Sequence, residues 1–91
     1  MDTTKAKAAI AVIYSRMIGI DDKRLSAGDV TALKQACEDL PAAVQGHPRA
    51  AFEAGNIVSD LRSGVLAMPP GKNHRERILN LCDQVQKYLR D

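Results

Sequence analysis

Three breaks constrain this chain more than any other feature: Gly19, then Gly46-His47-Pro48, then Pro69-Pro70-Gly71. Proline has no backbone N–H and disfavours helix in the residue before it, and glycine commonly stops a helix. Between the breaks, apolar residues recur every three or four positions, the period of an amphipathic helix. No stretch alternates apolar and polar residues as a half-buried strand would, and no Asn-Gly or Asp-Gly hairpin signal occurs. The expected fold is therefore all-α, a compact bundle of about four short amphipathic helices in a single domain spanning the 91 residues.

The first helix is expected from a cap at Thr3 or Thr4 to about Ile18, with Ala6, Ile10, Ile13, Tyr14 and Met17 on one face. Its other side holds Ala8, Ala11, Val12 and Ser15, so it is apolar nearly all round. Such a helix is usually covered on more than one side, which makes it either central or pressed against a second chain. After the charged segment Ile20–Arg24, Ser26 and Asp29 resemble a capping box, and Val30, Leu33, Cys37, Leu40 and Val44 form the stripe of a second helix. Pro41 predicts a kink there, or an end at Leu40 followed by one more turn. Pro48 favours the start of a third helix to about Ser63, with Ala50, Ala54, Ile57, Val58, Leu61 and Val65 as its core side. Asn73, with Glu76 three residues on, marks the start of a fourth, carrying Ile78, Leu81, Cys82, Val85, Tyr88 and Leu89. That stripe covers barely two heptads, which suits core packing better than a coiled coil.

Two features suggest surfaces for a partner. Ala51, Gly55, Ser59 and Ser63 fall at intervals of four on the third helix, a row that lets another helix approach closely. In a soluble chain such a row more often marks one internal crossing, yet Gly55 costs up to about 1 kcal/mol of helix propensity that close packing would have to offset. Phe52, the one phenylalanine, projects opposite Leu61 and should face outward; Val12 lies similarly off the core side of the first helix. Phe52, Gly55, Ser59 and Val12 are thus the expected partner contacts. The other feature is basic: Lys72, Arg75 and Arg77 follow Pro69-Pro70-Gly71 at a helix start, where free N–H groups and the helix dipole favour anions. This is an expected contact for phosphate or a nucleic-acid backbone, although the spacing is not that of a P-loop.

Charge argues against a dedicated nucleic-acid binder. Residues 1–46 carry six basic and six acidic side chains, and residues 47–91 carry seven and five, for a net +2. The third helix, the reader in a helix-turn-helix reading, mixes Arg49 and Arg62 with Glu53 and Asp60, and acidic groups there would repel phosphates. His47 and His74, the only histidines, have no evident nucleophile or carboxylate partner, and Cys37 and Cys82 lack the pairwise spacing of a metal site. No catalytic, cofactor or metal residue is therefore expected, and both cysteines are read as buried thiols. No apolar run nears the roughly 20 residues that span a bilayer. The functional expectation is a small cytoplasmic, non-enzymatic interaction module: an adaptor, inhibitor or regulatory subunit, self-associating or bound to another protein. The alternative is a regulator that contacts nucleic acid through Lys72, Arg75 and Arg77.

Overall fold

The computed structural model describes residues 3–20 and 25–90. Asp21, Asp22, Lys23 and Arg24, most of the expected charged loop, lie outside them. Four helices form: α1 (Thr4–Ile18), α2 (Ala27–Ala43), α3 (Pro48–Ser63) and α4 (Arg75–Leu89). Among the described residues there is no strand. The all-α bundle expected from the periodicity is the fold observed.

The breaks act for identifiable reasons. Ser26 caps α2, its side chain accepting a hydrogen bond from the Asp29 N–H at 3.1 Å. Pro48 opens α3, and His47 supplies the cap, its Nδ1 accepting from the Ala50 N–H at 3.3 Å. Pro41 does not end α2. The helix continues to Ala43, and the Val44 N–H closes the final turn on the carbonyls of Leu40 and Pro41. With so little helix left, the missing N–H of Pro41 disturbs only the last turn. The start of α4 shifts by one residue from the expectation. His74, in the left-handed region at φ 51°, precedes the helix, and the Asn73 side chain instead accepts from the Arg75 N–H at 3.0 Å.

The helices close into a ring. α1 packs against α2 and α4, α3 packs against α4, and α2 touches α3 more slightly. Among the described residues, the backbones of α1 and α3 do not come close, nor do those of α2 and α4. α1 is therefore packed on two sides within its own chain, while Ala8, Ala11 and Ser15 on its outer face stay exposed. Ala6, Ala9, Ile10, Ile13 and Met17 are buried on it. They meet Leu33, Ala36, Cys37 and Leu40 of α2, Ala50, Ala54, Ile57, Val58 and Leu61 of α3, and Ile78, Cys82, Val85 and Leu89 of α4 in one apolar core. No charged or polar residue is buried with them among the described residues. Val12, expected to face outward, is half-buried and packs against that core. On a helix gripped from two sides, its position falls at the edge of a covered face.

Both cysteines are free and buried. Burial pushes the Cys82 thiol up to about 12, with the Asp83 carboxylate acting in the same direction. Burial raises Cys37 too, opposed by the charge of Arg62 and reinforced by Glu38. Both thiols should therefore react with alkylating reagents at mildly alkaline pH only as fast as the fold opens, measured against the same chain in denaturant. The linkage has a definite sign. Between the ordinary value of 9.0 and about 12 the unfolded chain releases a proton that folded Cys82 keeps, so its contribution to stability is full below that window and declines as pH rises through it. Denaturant titrations of the native protein and of Cys82→Ala across this range should converge as pH rises.

Candidate functional site

An opening lies at one end of the bundle, not on the outer face of a helix. It is a cleft of about 1080 Å³ between the start of α2, with Ile20 and Leu25 beside it, and the segment joining α3 to α4. Ile20, Leu25, Val30 and Lys34 form one side, and the run from Val65 through His74 forms the other. Ile20 is buried; Leu25, Val30, Val65 and Leu66 are half-buried; and Met68 is 95% exposed at the margin. Lys34, Lys72, Asn73 and His74 also line it, and no carboxylate does among the described residues.

Two glycines build the second wall. Gly64 ends α3, and the Gly71 N–H returns to donate to the Gly64 carbonyl at 2.8 Å. The two backbones lie so close that a Cβ on Gly64 would collide with the carbonyls of Lys72 and Asp60, and one on Gly71 with the carbonyl of Ser63. The segment between them is held by the Leu66 N–H on the Leu61 carbonyl at 2.9 Å and the Ala67 N–H on the Gly64 carbonyl at 3.1 Å. Met68-Pro69-Pro70 therefore projects as a short, internally tied loop, with a cis bond between Met68 and Pro69.

The residues singled out from sequence are distributed differently. Phe52 does face outward and is 70% exposed. Gly55, Ser59 and Ser63 are exposed too, so the small-residue row is not the internal helix crossing that such spacing most often marks. Nothing lies within 4 Å of where a Gly55 Cβ would stand. The surroundings of Phe52 on that face are Arg49, Gly55, Asn56 and Ser59, so it is a single aromatic among polar and small neighbours rather than an apolar patch. A lone exposed apolar residue of this kind is ordinary.

The basic segment does not act as a unit. Arg77 Nε donates to Asp60 Oδ2 at 2.6 Å, tying α4 to α3. Arg75 reaches across the bundle, its terminal nitrogen donating to the Ile18 carbonyl at 3.1 Å at the end of α1, where a cation complements the helix dipole. Its Nε is buried without a hydrogen-bond partner. Lys72 alone of the three lines the cleft. His47 is occupied by its cap and lies against Tyr88, ring centroids 6.1 Å apart. Among the described residues, no group of three or more His, Cys, Asp or Glu side chains is placed to hold a metal ion, and no helix is long and apolar enough to cross a membrane.

Sequence reasoning missed the cleft, although it left a trace. Val30 and Val65 sit on core stripes by periodicity, yet both remain half-open and both line this opening. No protein-family model, curated protein or solved structure matches the chain.

Three substitutions distinguish the crowded glycines from the open one. Gly64→Ala and Gly71→Ala should each destabilise the protein by roughly 1–3 kcal/mol, as forced overpacking does. Gly55→Ala should instead stabilise it by up to about 1 kcal/mol, because the methyl group enters open space on a helix. Chemical denaturation of the three variants beside the parent chain measures both signs.

Proposed function

We propose that this protein is a small, non-enzymatic protein-interaction module that engages its partner through the cleft beside Met68. The single observation that carries this reading is an apolar cleft of about 1080 Å³, walled by Val30, Val65, Leu66 and Met68, with Lys34 and Lys72 also lining it. Pockets that hold small molecules typically measure about 300–1,000 Å³, so this opening has room for a segment of another chain. Exposed apolar surface rimmed by polar groups is the usual form of a protein-binding site. A module of this kind serves as an adaptor, an inhibitor or a regulatory subunit.

Self-association through α3 is the second reading, and it draws on Phe52. An aromatic residue exposed beside the open Gly55 is a suitable anchor for a second copy, since aromatic residues are enriched among binding hot spots. Binding to a nucleic-acid backbone draws less support. Arg77 is neutralised by Asp60 and Arg75 is committed to the end of α1, which leaves Lys72 as the one member of the expected trio at the cleft.

The readings separate by experiment. Tagged native protein, Met68→Asp and Phe52→Ala are used as bait in lysate from cells that express the protein. The expected result is a protein retained by native chain and by Phe52→Ala but lost from Met68→Asp. Retention that is equal for all three baits, or none at all, would overturn the cleft reading. Light scattering after size exclusion addresses self-association: a mass above 9.9 kDa that falls back in Phe52→Ala supports it. A mass that stays at 9.9 kDa at high concentration removes it.

A further inference from the structure

We propose that Met68 is a modification site: the residue at which a small peroxide oxidises this folded protein, to methionine sulfoxide, without disturbing the bundle. The inference stands apart from any partner at the cleft. It rests on how the fold distributes its sulfur.

The chain carries sulfur at Met1, Met17, Cys37, Met68 and Cys82. Of the four among the described residues, three are withdrawn from solvent: Met17 and Cys82 are 0% exposed and Cys37 is 2%. Thiols are ordinarily the more reactive group, but they react as thiolates. Burial raises both thiols here, Cys82 to about 12, so near neutral pH neither offers a thiolate. Met68 is 95% exposed. The contrast between the two described methionines follows from their places in the fold. Met17 lies on the inner face of α1 with Ile10 and Ile13. Met68 lies in a segment fastened on both sides of it, by the Ala67 N–H and the Gly71 N–H, which both donate to the Gly64 carbonyl. Pro69 and Pro70 restrict the backbone that follows. Its exposure thus belongs to a tied loop and not to a frayed end.

The chemistry suits a thioether held in this way. Its sulfur needs no deprotonation, unlike a thiol. It attacks one oxygen of hydrogen peroxide, and an S–O bond forms as the O–O bond breaks. Sulfur gives up two electrons, and the second oxygen leaves as water with both hydrogens of the peroxide. The product replaces an apolar side chain with a polar one, a change that methionine sulfoxide reductases reverse. In the core such a change disrupts packing. At Met68 the new oxygen faces water, so the fold does not oppose it.

The test treats the full folded chain with dilute hydrogen peroxide near neutral pH, and the same chain in denaturant. Samples are quenched over time, their remaining thiols are alkylated in denaturant, and fragments are weighed. Cleavage after lysine and arginine places each of the five sulfurs on its own fragment. The Met68 fragment should gain one oxygen in the folded chain at a rate within about threefold of the denatured chain, as open access requires. Met17 and both cysteines should react at least about tenfold more slowly than Met68 until the fold is opened, because the core opens rarely. Protein oxidised at Met68 should keep the denaturation midpoint of the untreated chain. The proposal is overturned if Met17 or a cysteine reacts as fast as Met68 in the folded chain. It is overturned equally if Met68 is protected about tenfold or more by folding, or if its oxidation lowers the midpoint.

Discussion

The contact on which this architecture turns is between two stretches of bare backbone. Gly71 folds back onto the end of α3 and donates to the Gly64 carbonyl, at a separation that leaves no room for a Cβ on either residue. That closure sets where α4 begins, and so where Arg75 and Arg77 point. It also lifts Met68-Pro69-Pro70 away from the core as a wall. A longer or looser connection could still join α3 to α4, since the entropy of loop closure grows only slowly with length. It would not hold one side of a cleft in a fixed place.

Around that closure, the core and the opening follow from the same apolar stripes. Each helix buries its inner face completely over the middle of the bundle. At the end near the α3–α4 connection the stripes of α2 and α3 run on past the point where another helix can cover them, and Val30 and Val65 stay half-open. The polar surface is arranged by shorter-range demands. Arg16 pairs with Asp29 at 2.9 Å between α1 and α2, and Arg77 with Asp60 between α3 and α4. Exposed ion pairs of this sort add little stability, but each withdraws a cation from any anion-binding patch.

The helices and most of the core were legible in the sequence, because periodicity and punctuation agreed. Pro48 and Ser63 bound α3 as expected, and Ser26 caps α2 as its spacing with Asp29 implied. Phe52 was placed outward correctly, since its angle from Leu61 on the helix decides the matter without knowledge of neighbours. Val12 was misplaced because exposure on the first helix depends on how many helices grip it, a tertiary fact. Spacing alone left the small-residue row open between an internal crossing and an outward face: only packing order decides whether a helix arrives there, and α1 lies diagonally across from α3. The cleft was invisible for a related reason. It belongs to no single element, and its wall depends on two glycines whose mutual approach no local pattern records.

The position of α1 has a consequence for how the molecule comes into being. Its inner face is completed by α4, the last helix of the four to be synthesised. As the chain emerges, α1 and α2 can pair early, yet Ile10, Ile13 and Met17 lack part of their cover until the far end of the sequence arrives. The contact from Arg75 to the Ile18 carbonyl spans 57 positions and can form only then. Final assembly is therefore a late, long-range event, in which the earliest segment of the bundle waits, partly greasy, for the latest.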